Sequence, residues 1–150
     1  MVNLRQATKE DVLLFATKLR QEDIEECKYL LDMTGKDALL KSFNESKECF
    51  VVEINNIVSC IFGCAELGKG ALFWILISKD VKKLPRTFFI LAKEVIKDLL
   101  CRYEFLTNYG EEHKSFIIKF GKWLGFTVCS PEPYGKYNKM YCKFYIERGM

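Results

Sequence analysis

Histidine is the scarcest functional residue of this 150-residue chain, because His113 is its one imidazole. Cys/His nucleophilic pairs need this side chain, and so do zinc sites that combine cysteine and histidine ligands. His113 lies in the segment Glu111-Glu112-His113-Lys114, which we expect to begin a helix, and no CxxC motif occurs in the sequence. We therefore expect no metal site. A catalytic pair between His113 and a distant cysteine stays open from the sequence alone.

Long hydrophobic runs and a large charge of one sign are also missing. The apolar runs, such as residues 71–77, fall far short of the roughly 20 residues that span a membrane. No leader pattern opens the chain. Its 23 basic and 20 acidic side chains leave a net charge of only +3. We expect no membrane span, no export signal and no nucleic-acid partner, since dedicated nucleic-acid binders usually carry more positive charge.

Cysteine is plentiful but unpatterned. The chain has seven cysteines, an odd number, so complete intramolecular pairing is impossible. Cys60 and Cys64 lie in a predicted strand, roughly 13 Å apart along it, which is too far for a shared metal ion. We expect reduced, mostly buried thiols in a reducing cytoplasm. With 49% hydrophobic residues the chain has enough material for the core of one domain over residues 1–150.

The first third of the chain reads as a strand followed by helices. Residues 2–7 are strand-like, and Thr8 with Asp11 resembles a capping box that opens a helix through Leu19. Residues 23–31 have helical spacing, and Gly35 is a natural stop for that helix. A short helical turn is expected around residues 37–43.

The middle of the chain predicts three neighbouring strands. Residues 48–54 and 57–66 are rich in β-branched and aromatic side chains, and Asn55-Asn56 between them suits a tight hairpin turn. Residues 71–78 are apolar on both faces. Such a strand belongs in the centre of a sheet with helices above and below it.

The remaining elements alternate helices and strands. Residues 85–103 form an amphipathic pattern with Pro85 in the first turn. A short strand over 105–109, a helix over 114–124 ended by Gly125, and strands over 126–129 and 141–148 complete the chain, with a loop over 130–139. This order predicts an α+β fold with a mixed, mainly antiparallel sheet and helices on both faces.

The order of elements resembles the GNAT acetyltransferase fold from end to end. Residues 120–126, FGKWLGF, look like the end of that family's last helix, where a Gly-Phe pair starts the next strand. Several segments further resemble the phage internal virion protein A-like family, a GNAT-like group. These segments are residues 4–8 (LRQAT), 19–23 (LRQED), 74–80 (WILISKD), 106–109 (LTNY) and 113–115 (HKS) followed by Leu124-Gly125.

The GNAT resemblance implies acetyl-CoA as cofactor, but two of the family's features are missing. The family's pyrophosphate loop is an Arg/Gln-x-x-Gly-x-Gly/Ala run whose backbone N–H groups bind phosphate. The matching residues 79–86, KDVKKLPR, contain no glycine, so the side chains of Val81 and Leu84 are expected to obstruct a phosphate. The tyrosine that many members use to protonate the departing thiolate is replaced by Gly121. Acetyl-CoA binding is therefore left open.

Several residues remain candidates for the site that the resemblance implies. Glu66 is the first candidate for the catalytic base, because it ends the run 57–66 beside the expected opening in the sheet. The candidate proton donor is bulk water or a tyrosine such as Tyr109. Lys82, Lys83 and Arg86 cluster at the positive end of the long helix, where an anion would relieve their repulsion and where side-chain cations could replace backbone donors. The cofactor-binding candidates are Leu76, Ser78, Lys82, Lys83, Arg86 and Asn108.

Two functions follow from these observations. In the first, the chain is a phage-encoded, cofactor-impaired GNAT-fold protein that binds a phage or host protein during virion assembly or host takeover, in the host cytoplasm or the virion. The alternating tyrosines and lysines of residues 134–143 favour such a protein surface. In the second, it is an active acetyl-CoA-dependent N-acetyltransferase that acts on an amine.

Overall fold

A computed structural model describes residues 1–112 and 115–149. Within them the helices are α1 (Lys9–Phe15, continued by a 3-10 turn over Ala16–Lys18), α2 (Gln21–Leu31), α3 (Gly35–Glu45), α4 (Arg86–Arg102) and α5 (Ser115–Leu124). The strands are β1 (Val2–Gln6), β2 (Glu48–Ile54), β3 (Ile57–Leu67), β4 (Gly70–Ile77), β5 (Phe105–Glu111), β6 (Thr127–Val128), β7 (Glu132–Tyr134) and β8 (Lys139–Glu147).

The strands form one mixed sheet in the order β1-β2-β3-β4-β5-β8-β6, with β7 also paired to β8. Within the described residues, only β4 and β5 run parallel. Asn55 and Asn56 both adopt positive φ, at 52° and 67°, which closes the β2–β3 hairpin as predicted. The predicted α+β fold, with antiparallel strands over 48–78, is confirmed.

Helices cover both faces of the sheet, so β4 is buried on two sides. Helices α1 and α3 pack on one face, where Trp74 and Leu76 of β4 contact a core that includes Phe15 and Leu39. Helices α4 and α5 pack on the other face, where Phe73 and Ile77 join Phe88, Leu99, Phe120 and further residues. None of the described helices is long and apolar enough to cross a membrane.

The capping box predicted at the start of α1 is confirmed, whereas the prediction that Gly35 ends α2 is wrong. Thr8 and Asp11 form the predicted capping box, and the Arg5 guanidinium holds the pKa of Asp11 down to about 2. Helix α2 ends because Asp32 adopts the left-handed region, with φ 56°. Gly35 is the first residue of α3, and a Cβ there would lie 2.5 Å from Leu19 Cδ1.

Two further expectations need correction or fall outside the description. The predicted loop over 130–139 contains β7, which pairs with β8. Glu111 ends β5 instead of starting a helix, while His113 and Lys114 lie outside the described residues.

No disulfide bond joins any of the seven cysteines. Cys60, Cys64 and Cys142 are buried, Cys101 is exposed, and the other three are half-buried. Burial raises the pKa of both Cys49 and Cys64 to about 12. These thiols therefore pack mainly as small hydrophobic groups.

Candidate functional site

The parallel strands β4 and β5 separate part-way along their length. Their recorded pairs are Ala71 with Leu106 and Leu72 with Thr107. At the next position the Asn108 side chain replaces the backbone pairing between the strands. Its Nδ2 donates to the Phe73 carbonyl at 3.0 Å, and its Oδ1 accepts from the Tyr109 amide at 2.7 Å. Asn108 thus bridges the point where the two strands diverge.

The edge of β4 beyond Phe73 has no strand partner on the β5 side among the described residues. Because the Phe73 carbonyl points toward β5, the backbone groups of Ile75 and Ile77 point the same way. A small cleft lies between this part of the sheet and α5. An apolar cleft of about 20 Å³, with room for about one water molecule, is lined by side chains that include Ile75, Ile117, Phe120 and Phe144.

The loop after β4 uses its first backbone donors internally. The Lys79 amide donates to the Lys18 carbonyl at 2.8 Å, and the Asp80 and Val81 amides donate to Oγ and the carbonyl of Ser78 at 3.2 and 3.1 Å. Ser78 itself is buried. These donors are satisfied without a ligand, so a phosphate group would have to displace a protein partner to reach them.

The first half of this loop is also tied to the segment that precedes α2. Lys18 Nζ lies 2.9 Å from a carboxylate oxygen of Asp80, and its hydrogen bond lowers the pKa of that carboxyl group. Arg20 Nη2 donates to the Val81 carbonyl at 3.2 Å. Sequence reasoning missed Arg20, because its partner lies 61 residues away and no local pattern marks the contact.

The three cations predicted at the start of α4 are present and unpaired. Lys82, Lys83 and Arg86 are all exposed. None of them forms an ion pair with a carboxylate in the part of the chain that the structure describes. Lys82 is nevertheless close enough to Asp80 to help lower the pKa of that carboxyl group, while Lys83 and Arg86 face solvent.

Glu66 does not lie beside the opening between β4 and β5, and that expectation about its position is wrong. Its register partner is Ala71, at the end where β4 and β5 are paired, about 20 Å along β4 from Ile77. The Glu66 side chain is 58% exposed and accepts from Lys47 Nζ at 2.7 Å. The antiparallel turn of β3 into β4 therefore separates Glu66 from the other candidates.

The other candidates differ in the direction of their side chains. Leu76 packs with the α1 and α3 core and Ser78 holds the loop. The Tyr109 ring stacks on Tyr134 of β7, with ring centroids 4.5 Å apart. Gly121 lies on α5, and a Cβ built there would be 3.9 Å from the Cβ of Phe126. Because glycine has no side chain, this position offers no hydroxyl group.

Trp123 is a second residue that sequence reasoning left out of the site. Its side chain is 48% exposed. Phe89 packs edge-on against it, with ring centroids 5.5 Å apart, and Lys93 Nζ lies 4.2 Å from its ring centroid. Leu84, Arg86, Phe89 and Trp123 line an open surface hollow of about 440 Å³. A tryptophan that follows Lys119 and Lys122 on a predicted helix was the available signal.

Comparison with solved structures places this architecture among GNAT acetyltransferases. The ribosomal-protein-S18-alanine N-acetyltransferase from Escherichia coli matches with a TM-score of 0.71 and 12% identity, over 100% of this chain and 96% of that one. The spermidine N-acetyltransferase from Vibrio cholerae, in complex with CoA and spermine, matches with a TM-score of 0.69 and 14% identity, over 98% and 95% of the two chains.

A GNAT-family acetyltransferase from Streptococcus pneumoniae also matches, with a TM-score of 0.68 and 13% identity over 99% of this chain and 100% of that one. No family model matches the sequence, and no curated protein matches it. The chain therefore has the GNAT fold, and at these identities the likeness concerns the fold alone.

Proposed function

We propose that this chain is a GNAT-fold protein that has lost the acetyl-CoA site and acts by binding another protein. The observation that carries this proposal is the loop after β4, whose Lys79, Asp80 and Val81 amides donate to protein acceptors. A pyrophosphate group needs such donors to be free and closely approachable. This loop contains no glycine, Pro85 contributes no donor, and Val81 and Leu84 carry side chains.

Two more features disfavour acetyl transfer by this chain. The apolar cleft between Ile75 and α5, at about 20 Å³, would have to widen to admit part of a cofactor. Gly121 replaces the expected proton donor. These residues do not fit acetyl-CoA, so we derive no chemical step through it. In line with the resemblance to the phage internal virion protein A-like family, the setting we propose is a phage protein in the host cytoplasm or the virion, acting in virion assembly or host takeover.

A second candidate function is an acetyl-CoA-dependent N-acetyltransferase, and one observation favours it. Among the described residues, Ile75 and Ile77 have no strand partner at the opening, and Lys82, Lys83 and Arg86 form no ion pair. Such an edge can hydrogen-bond an extended amide-containing ligand, and cationic side chains can hold phosphate. In this candidate Tyr109 is the proton donor, and Glu66 lies too far away to be the base.

Thermal unfolding with acetyl-CoA tests the choice between these functions. A ligand at about 100 times its Kd stabilises the folded state by about 2.7 kcal/mol, which shifts the Tm of a chain this size by roughly 5–10 °C. We expect millimolar acetyl-CoA at low salt to leave the Tm unchanged. A shift of several degrees that is lost in Lys82→Ala/Lys83→Ala, but kept in the control Lys69→Ala, would overturn the proposed function.

A further inference from the structure

An exposed aromatic surface lies where α4 meets α5, outside the opening between β4 and β5. Phe89 and Phe120 pack edge-on, and Trp123 stacks on Phe120 with nearly parallel rings, at an interplanar angle of 14°. Trp123 forms the exposed end of this group. Its indole, Leu84 and Phe89 line the open hollow described above, with Arg86 at its rim. We call this feature the Trp123 hollow.

The segments that form the Trp123 hollow carry an excess of positive charge, and the acids Asp80 and Glu94 lie just outside the first of them. Residues 82–93 and 115–124 contain no Asp or Glu. Their cations include Lys82, Lys83 and Arg86, together with Lys93 on α4 and Lys119 one turn before Trp123 on α5. None of these five forms an ion pair with a described carboxylate. A chain with a net charge of only +3 has thus concentrated unpaired cations around its exposed tryptophan.

We propose that the Trp123 hollow docks an acidic segment of a partner protein, with one aromatic or large aliphatic side chain of that segment inserted against Trp123. This inference rests on the proposed function and names the chemistry of the partner. Tryptophan and arginine are the side chains that most often dominate protein interfaces, and here they line the same hollow. The cations around them complement carboxylates on either side of the inserted residue.

The geometry favours a peptide over the other anionic ligands. The hollow is open and lined mainly by apolar side chains, so it can bury a side chain from an extended segment. The loop's first amides, which would hold a nucleotide phosphate, are occupied by Lys18 and Ser78 acceptors. The long-range charge attraction speeds encounter, while the inserted side chain supplies the specificity.

A fluorescence anisotropy titration tests the proposal. The probe is a labelled short peptide of Asp and Glu residues around one central Phe. We expect saturable binding that weakens at least tenfold when NaCl rises from about 50 to about 300 mM. The same peptide with Ser in place of Phe, and a peptide with Lys in place of every acid, are expected to bind at least tenfold more weakly.

Variants then assign the binding surface. We expect Trp123→Ala and Arg86→Glu each to weaken binding at least tenfold, with an unchanged circular dichroism spectrum because both side chains are exposed. Lys136→Ala, at the distant β7–β8 hairpin, serves as the matched control and should bind normally. The inference is overturned if the peptide does not bind, binds equally to Trp123→Ala, or is displaced by coenzyme A. Concentration-dependent self-association that is lost in Trp123→Ala would replace the acidic partner with a second copy of this chain.

The outcomes separate this inference from the proposed function. Binding of acetyl-CoA, measured by its Tm shift, overturns the proposed function whatever the peptide does. Failure of the peptide alone, with no acetyl-CoA binding, overturns the docking inference and leaves the proposed function standing.

Discussion

The charged side chains near the two ends of β4 differ in whether they form ion pairs. At the paired end Lys47 binds Glu66, while Glu48 accepts from Arg102 Nη2 at 2.5 Å and from the Tyr103 hydroxyl at 2.7 Å. Burial and Glu48 together raise the pKa of Tyr103 well above its usual range. At the diverging end Asp80 pairs with Lys18, whereas Lys82, Lys83 and Arg86 form no ion pair with a described carboxylate. Charges that neutralise one another stabilise the architecture, whereas unneutralised charges mark a surface that a partner can use.

The largest expected effect comes from removing the contact that β4 and β5 share. Leu106 is fully buried opposite Ala71, so Leu106→Ala deletes core packing and leaves a cavity. We expect a loss of about 2–5 kcal/mol in the free energy of unfolding, measured by urea denaturation. Ile75→Ala, on the diverging part of β4, should cost less. If the two variants lose equal stability, the ends of β4 do not differ in packing.

The next largest effect is expected from removing the charge of Glu48 at the paired end of β4. Glu48 is only 19% exposed and has two hydrogen-bonding partners, so Glu48→Gln should cost about 1–3 kcal/mol. The exposed Lys47–Glu66 pair provides the control, and Glu66→Gln should cost no more than about 0.5 kcal/mol. Thiol labelling gives a local readout, because Cys64 pairs with Glu48 whereas Cys60 pairs with Ile77. If Glu48→Gln accelerates the labelling of Cys60 more than the labelling of Cys64, the effect of Glu48 is not local.

Asn108 lies between the two ends, and its loss should open the diverging one. Asn108→Ala removes the donor to the Phe73 carbonyl and the acceptor for the Tyr109 amide, at a cost of about 1–2 kcal/mol. Hydrogen exchange of the Tyr109 amide should accelerate by more than that of Leu106. Asn108→Asp is the matched variant, since it keeps the acceptor and loses the donor. Equal exchange rates in the original protein, Asn108→Ala and Asn108→Asp would show that the Asn108 hydrogen bonds do not stabilise this part of the sheet.

The smallest effect is expected at the cationic loop. Lys82→Ala/Lys83→Ala removes two exposed charges that form no described ion pair, so the free energy of unfolding should stay within about 0.5 kcal/mol or rise slightly at low salt. The rise should vanish as salt screens the repulsion. Marked destabilisation would mean that these lysines are structural, and the contrast between the two ends of β4 would be lost.

The features predicted correctly from the sequence depend on neighbours in the chain. The Asn55-Asn56 turn, the Thr8–Asp11 capping box and the two-sided burial of β4 each arise within a few residues or from a simple repeat. Gly35 shows the limit of such reasoning. Its missing side chain serves contact with Leu19 instead of the end of α2.

The site depended on contacts that no local pattern records. The position of Glu66 follows from the antiparallel register of β3 with β4, and the contact of Arg20 with Val81 follows from how α2 packs. Lys82, Lys83 and Arg86 were foreseen as a cluster because they are neighbours in the sequence. Their closeness to Trp123 results from the packing of α4 against α5, which the sequence alone does not show.

The open sheet ends in two edges, and each is built in a way that discourages aggregation. At one edge β1 is only five residues long and carries Arg5, which pairs with Asp11 and lies 3.5 Å from a Glu53 oxygen. At the other edge β6 and β7 are separate short strands with Pro131 between them and Pro133 inside β7. Short strands, charge and proline all prevent strand-by-strand addition of another chain. The two outer edges of the sheet are therefore poor templates for pairing with a strand of another chain.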